Sequence, residues 1–116
     1  MSYKPGSVVR VPFPFVDSGQ AKHRPALVLS RESFNAVHGL AVMAMITSAQ
    51  HSLWPSDVPV GGLAAAGLPK PSIVRFKLFT LDLRLVAGAI GRLNAKDWKA
   101  VQAVLAGLLP PSRSVP

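Results

Sequence analysis

The chain has 116 residues, of which 49% are hydrophobic, and this length and composition predict one folded domain rather than a disordered protein. Thirteen lysines and arginines stand against five acidic residues, and the resulting formal charge of +8 favours a polyanionic partner such as a nucleic acid. The sequence contains no cysteine, which excludes disulfides and cysteine-ligated zinc. Its histidines show no metal-ligand spacing with carboxylates, so no metal or other cofactor is expected. No apolar run reaches about twenty residues, which predicts a cytoplasmic protein without membrane contact.

The first half of the chain has the pattern of short buried strands. Residues 6–13 predict a first strand, which is followed by Pro14 and the turn-forming residues 17–19. Residues 24–30 and 40–47 are rich in Val, Leu, Ile and Met and predict two more strands. Residues 31–38 between them predict a short helical or irregular link.

The second half begins with a proline-containing segment over residues 54–60, which predicts a short edge strand because proline cannot donate a ladder hydrogen bond. Residues 61–68 predict a connector of small residues. Residues 72–79 alternate, which predicts a half-buried strand with Val74, Phe76 and Leu78 in the core and Arg75 and Lys77 on the opposite face. Residues 85–93 predict a further strand.

One segment has the periodicity of a helix instead. Asn94 predicts the N-cap of an amphipathic helix over residues 95–106, and apolar residues recur along it at helical spacing, namely Trp98, Val101, Leu105 and Leu108. Gly107 and the prolines at 110 and 111 end this helix. The elements together predict a mainly β barrel with a C-terminal helix, as a single domain over residues 1–110 with a loose tail over 111–116.

Polar residues cluster at the ends of two predicted strands. The basic sequence Lys22-His23-Arg24-Pro25 leads directly into the second strand, and the polar sequence 47–51 follows the third. If the two strands are neighbours, these ends meet. Cations held in place by a rigid strand are what a phosphate-binding site requires.

Short motifs extend over most of the chain in a characteristic order, at residues 6–9, 13–15, 23–30, 46–48, 67–75, 78–81 and 91–93. Their order and spacing resemble the MazF/PemK family of toxin endoribonucleases, which are the toxins of type II toxin–antitoxin modules. The resemblance implies an SH3-like barrel of the CcdB/PemK type that forms a homodimer. It also implies metal-independent, sequence-selective cleavage of single-stranded RNA such as mRNA, with cyclic phosphate and 5′-hydroxyl ends, and inhibition by an acidic cognate antitoxin.

The family pattern places the catalytic arginine on Arg24 and the catalytic hydroxyl on Thr47. A guanidinium stays protonated and offers a planar fork to phosphate oxygens, whereas it is a poor base. The remaining cationic and polar positions near these motifs predict RNA contacts, namely His23, Ser48, His51, Lys70, Arg75 and Lys77. His23 and His51 are also candidates for proton transfer.

The aromatic residues near loops add a further expectation. Phe15 and Trp54 are each equally compatible with stacking on RNA bases and with a place in the core or a dimer interface. Trp98 is expected in the core.

Two departures from the family pattern concern acidic residues. Some relatives carry an acid in the loop before the arginine, where this chain has residues 19–22, and others carry an aspartate where this chain has Lys77. Either the chemistry depends on Arg24 and Thr47, or cleavage is slow. Two other functions stay open, a non-catalytic toxin of the same fold that inhibits a protein such as a topoisomerase, and a basic RNA-binding module.

Overall fold

The alternating segments of the sequence form one curled antiparallel sheet in the computed structural model, which describes residues 3–13, 22–50 and 53–111. Its strands are β1 (Ser7–Phe13), β2 (Lys22–Val28), β3 (Leu40–Ser48), β4 (Val58–Pro59), β5 (Ser72–Asp82) and β6 (Gly88–Arg92), in the spatial order β4-β5-β3-β2-β1-β6. The helices are α1 (Glu32–His38), α2 (Leu63–Ala66) and α3 (Ala95–Ala106), with a 3-10 turn at Leu83–Leu85. The prediction of a mainly β fold with a C-terminal helix is confirmed.

Both faces of the central strands are buried, and this explains their nearly continuous apolar sequences. On one face, side chains such as Val8, Leu27 and Val74 pack together with Val101 of α3. The opposite face contains a second core in which Val9, Val28 and Met43 pack together. Neighbouring residues along β1, β2 and β3 therefore alternate between two cores rather than between a core and solvent.

The long strand β5 is irregular where it pairs with β3. Ala44 lies opposite Leu78, whereas the next residue, Met45, lies opposite Arg75, so Phe76 and Lys77 form a bulge between these two pairs. Because the bulge contains two residues, Leu78 lies opposite Ala44 on the same face of the sheet as Val74. Leu78 was predicted to lie in the core, and this was wrong because its side chain is 38% exposed beyond the bulge.

Helix α3 has the predicted bounds and the predicted cap. The Asn94 side chain accepts a hydrogen bond from the backbone N–H of Asp97 at 2.8 Å. Val101 is fully buried, and Trp98 and Leu105 pack partly buried against the same core, so Trp98 takes its expected place. The prediction that Leu108 continues this stripe was wrong, because the helix ends at Ala106 and Leu108 is 40% exposed.

The connector over residues 61–68 contains a short helix that the sequence did not predict. Helix α2 is anchored at its start, where the backbone N–H groups of Gly61 and Gly62 donate to the buried carboxylate of Asp97 at 2.8–3.1 Å. At its end, Gly67 adopts the left-handed conformation with φ +72° and lies against the backbone of β6. The connector is thereby held against α3 and the sheet, and it leads directly into residues 68–71.

Within the residues that the structure describes, no helix is long and apolar enough to cross a membrane.

Candidate active site

A cavity of about 230 Å³ opens where β2, β3 and β5 end side by side. Its walls are Arg24 and Pro25 of β2, Ile46, Thr47 and Ser48 of β3, and the segment Leu68–Ser72 that enters β5. The two polar strand ends that the sequence suggested as neighbours therefore do meet. Arg24 and Thr47, the predicted catalytic pair, both line this cavity. Their catalytic roles stay predictions.

The register of the sheet explains this meeting. Ala26 of β2 pairs with Met45 of β3, and continuing this antiparallel register by two residues places Arg24 opposite Thr47. Thr47 in turn pairs with Ile73 of β5. Residues that lie directly opposite one another in a sheet present their side chains on the same face. Arg24 and Thr47 consequently share one face, although 22 other residues separate them along the chain.

The cavity has a cationic rim, and three of its lining residues carry hydroxyl groups. The side chains of Arg24 and Lys70 are exposed, whereas Thr47, Ser48 and Ser72 are half-buried. The Ser72 hydroxyl donates to the carbonyl of Lys70 at 2.8 Å, which holds the entering segment in place. Of the described residues that line the cavity, none is acidic and none is a histidine. The site is therefore built to receive negative charge.

A second hollow of about 540 Å³ continues the cavity along the surface. It is lined by Ser48, Gln50, Lys70 and Pro71, so it shares three of its residues with the first cavity. Together the two form a groove with Lys70 at the junction. A groove of this form can hold an extended polyanion across the site.

Another hollow, of about 560 Å³, lies away from this groove between the end of α1 and residues 82–84. Its charged side chains are Asp82 and Arg84, which form an exposed ion pair at 2.7 Å. Because Arg84 already neutralises Asp82, this hollow lacks the converging cations of the groove. Its larger volume therefore does not make this hollow the candidate active site.

His23 and Lys77, which were predicted to contact RNA, do not line the cavity in the described part of the chain. His23 is exposed on β2, but it neighbours Arg24 in sequence, so alternation directs its side chain to the opposite face of the sheet. It does not line the cavity. Lys77 is exposed within the bulge of β5. His51 and Phe15 lie outside the described residues.

Arg75 lies on the face opposite Val74, as predicted, but its side chain is largely buried there in an ion pair. Its guanidinium binds Asp57 through two hydrogen bonds, from Nε to Oδ1 at 3.2 Å and from Nη2 to Oδ2 at 2.9 Å. The Arg75 side chain is 12% exposed and that of Asp57 only 4%. The hydrogen bonds from Arg75 lower the pKa of Asp57, and Asp57 raises that of Arg75. A direct RNA contact of Arg75 stays a prediction, but the ion pair already engages its guanidinium.

Trp54 packs against the Arg75–Asp57 ion pair, and the three residues form the Trp54–Asp57–Arg75 cluster. The centre of the Arg75 guanidinium lies 4.8 Å from the centroid of the Trp54 ring, a cation–π contact, and the tryptophan is 42% exposed. Trp54 is therefore not a core residue of this chain.

Asp57 is the residue of this region that the sequence analysis did not single out as functional. A signal existed for Asp57, because it is one of only five acids in a strongly basic chain and lies within the predicted edge strand over residues 54–60. The pairing of Val58 with Val74 brings it beside Arg75. Across the described parts of the chain, no group of three or more histidines, cysteines and acids is arranged to hold a metal ion.

Comparisons with known proteins agree on the fold. The sequence profile of the PemK-like, MazF-like toxin of type II toxin–antitoxin systems matches residues 4–109. A solved complex of MazE with MazF from Deinococcus radiodurans is similar at 26% identity and a TM-score of 0.74, covering 97% of this chain and 99% of that one. The Mycobacterium tuberculosis toxin MazF-mt6 is similar at 26% identity and a TM-score of 0.68, covering 87% and 93%.

A third structure is an endoribonuclease in complex with its cognate antitoxin from a mycobacterial species, at 19% identity and a TM-score of 0.72, covering 95% of this chain and 100% of that one. At this identity the likeness shows the fold alone. No curated protein matches the chain significantly. The structural matches confirm the prediction of the MazF-type barrel, which here is a sheet curled into a half-barrel with a C-terminal helix.

Proposed function

The chain belongs to the PemK-like, MazF-like toxin family of type II toxin–antitoxin systems, and from this premise we propose that it is a metal-independent endoribonuclease that cleaves single-stranded RNA. One observation carries the proposal, namely that Arg24 and Thr47 line the same cavity. A toxin that acts only by contact with a protein would not require a guanidinium and a hydroxyl to converge in a groove that fits an extended polyanion.

The reaction that suits this site is transesterification at one phosphodiester. The ribose 2′-oxygen forms a bond to the adjacent phosphorus, the bond from phosphorus to the 5′-oxygen breaks, and a 2′,3′-cyclic phosphate and a 5′-hydroxyl result. The proton of the 2′-hydroxyl is lost, and the departing 5′-oxygen gains one. Negative charge increases on the nonbridging oxygens in between, so donors positioned beforehand at those oxygens lower the barrier.

Arg24 and Thr47 supply such donors. The Arg24 guanidinium offers two parallel N–H groups to the nonbridging oxygens. The Thr47 hydroxyl donates a further hydrogen bond and orients the phosphate. Lys70 stands where the two hollows join and neutralises a neighbouring phosphate.

A guanidinium and an alcohol are both weak bases, so the two histidines near the motifs are the candidates for assisting proton transfer. The orientation of His23 on the opposite face argues against it as the base. His51 follows Thr47 by four residues and is the histidine that we propose for this role.

The decisive experiment incubates a defined single-stranded RNA with the purified protein and its variants and detects new 5′-hydroxyl ends. We expect Arg24→Ala and Thr47→Ala each to lower the cleavage rate by about 100- to 1,000-fold, because each removes a donor to the developing charge. Arg24→Lys keeps the charge but not the planar fork, so it should restore only part of the rate. Cleavage by wild type should persist in excess chelator.

Three results would count against the proposal. Intact RNA that nevertheless binds the wild-type protein would indicate a binding module. Growth inhibition that survives Arg24→Ala would indicate a protein target. Cleavage that stops in chelator and returns with a divalent ion would contradict the metal-independent chemistry.

The partners follow from the same groove. We propose that a cognate antitoxin lays an acidic segment along it, since the chain carries a net charge of +8 and the groove has Arg24 and Lys70 at its rim. We further propose a homodimer, which sedimentation at several protein concentrations would detect. RNA and such a segment would compete for the same cations, so added antitoxin should suppress both RNA binding and cleavage.

A further inference from the structure

The Trp54–Asp57–Arg75 cluster has a construction that the catalytic chemistry does not explain. The backbone of residues 54–57 forms a tight turn, in which the Asp57 N–H donates to the Trp54 carbonyl at 3.0 Å. The Asp57 carboxylate accepts the Trp54 N–H at 2.7 Å and also binds Arg75. One nearly buried acid thus holds both the backbone of the tryptophan and the cation that lies against its ring.

The result is an aromatic side chain that is held in place and still accessible. The Arg75 guanidinium covers one side of the Trp54 indole, yet 42% of the residue remains exposed. Holding the side chain in place before binding reduces the entropy that a ligand must offset.

The cluster lies on the catalytic face of the sheet. Thr47 pairs with Ile73 and Met45 pairs with Arg75, so Arg75 occupies the next row of side chains on the same face as Thr47. Diagonal neighbours of this kind lie about 7–8 Å apart. The bulge in β5 begins only after Arg75, so the two rows are still in register.

From these observations we propose that Trp54 is a stacking platform for one unpaired RNA base, in a nucleotide that neighbours the phosphate held between Arg24 and Thr47. The proposal rests on the proposed function and adds a subsite to it. Every base has a π-face that can stack on an indole, and the nearby cation attracts the backbone. Asp57 and Arg75 are positioning residues here, because they act on RNA through the orientation of Trp54.

An unpaired base fits this platform better than a peptide does. A flat ring surface with a guanidinium beneath it offers stacking area, whereas an acidic peptide would require cations that point outward, and Asp57 already pairs with Arg75. The competing explanation is that Trp54 only shields the ion pair from water. That explanation predicts a loss of protein stability and no dependence on any particular base of the RNA.

The experiment measures RNA binding in a Thr47→Ala background, so that the RNA stays intact. A fluorescein-labelled oligonucleotide and a set of copies with a single abasic site at each position are titrated by fluorescence anisotropy. The variants are Trp54→Ala and Trp54→Phe, with Phe34→Ala as a matched control, because Phe34 is an aromatic residue of similar exposure, 39%, on α1. Thermal unfolding of each variant verifies its fold.

We expect Trp54→Ala to weaken binding of the intact oligonucleotide about 5- to 100-fold, as other base–aromatic stacks do, and Trp54→Phe to weaken it only slightly. For one of the abasic oligonucleotides, the protein with Trp54 and the Trp54→Ala variant should bind with equal affinity, because the base that stacks on Trp54 is missing there. Phe34→Ala should bind like the background protein.

Unchanged binding by Trp54→Ala would overturn the subsite, and so would an equal loss on every abasic oligonucleotide. Either result, together with cleavage by the wild-type protein, leaves the proposed function standing. If the abasic position is found but the wild-type protein does not cleave, the subsite stands and the proposed function fails. If Trp54→Ala weakens the binding of an acidic peptide but not that of RNA, the subsite is also overturned.

Discussion

Replacing Gly67 by alanine tests how closely the connector is docked against the sheet. A Cβ atom at Gly67 would lie 2.0 Å from the carbonyl oxygen of Ile90 and 2.8 Å from its carbonyl carbon, so part of the backbone must move. Gly67 is also left-handed, with φ +72°, as the C-cap of α2. The substitution therefore has two separate costs, one conformational and one steric.

Gly39 is a matched control for the conformational cost. It is the C-cap of α1 with φ +66°, and a Cβ atom there would meet nothing within 4 Å. Gly39→Ala should lower the free energy of unfolding by about 1–2 kcal/mol, which is the cost of the left-handed conformation for an alanine. Gly67→Ala adds a steric cost of about 1–3 kcal/mol, as overpacking does elsewhere, for a total of about 2–5 kcal/mol.

Thermal unfolding followed by circular dichroism measures both variants at one protein concentration, because oligomerisation would shift the midpoint. At about 4 °C per kcal/mol for a chain of this size, we expect Tm to fall by about 4–8 °C in Gly39→Ala and by about 8–20 °C in Gly67→Ala. The effect of alanine on the unfolded chain is common to both and cancels in the comparison. Equal losses would refute the close approach of Gly67 to β6. Residues 68–71 follow Gly67 into the cavity wall, so only Gly67→Ala should also slow RNA cleavage.

Three further predictions concern charged and titratable side chains. His23→Ala should cleave RNA within about threefold of wild type, since its side chain faces away from the cavity, and a loss comparable to that of Arg24→Ala in the same assay would show that the orientation is wrong. Lys70→Ala should weaken RNA binding and lower the slope of log K against log salt by about 0.7, as loss of one phosphate contact on a single strand does, and an unchanged slope in a salt titration would remove Lys70 from the interface. In Asp57→Asn, urea unfolding should show a stability loss at pH 7 that shrinks as the pH falls below about 4. The Asp57 pKa is lowered in the folded state, so the contribution of its carboxylate is complete above the ordinary aspartate pKa and is lost as protonation proceeds. A loss that stays constant down to pH 2 would contradict the ion pair.

Local patterns in the sequence predicted much of the fold. The bounds of α3 follow from Asn94, the helical period and Gly107, and all of these act within a few residues of the chain. The strands β1, β2 and β3 follow from apolar runs, although β2 begins and ends two residues earlier than predicted. Helix α2 escaped prediction because four residues are too few to show a period, and its ends are held by Asp97 and β6.

For the candidate site, too, part was predictable from the sequence and part was decided only by the tertiary structure. The sequence alone pointed to Arg24 and Thr47 at strand ends, because motif order and residue chemistry are properties of the chain itself. Only the tertiary structure decided which side chains share a face and which are already paired. A two-residue bulge shifts β5 along β3, and the pairing of β4 with β5 brought Asp57 to Arg75 and thereby placed Trp54. Register between distant strands depends on packing and on the sum of many weak contacts, so residues that lie far apart in sequence acquire their partners only when the sheet closes.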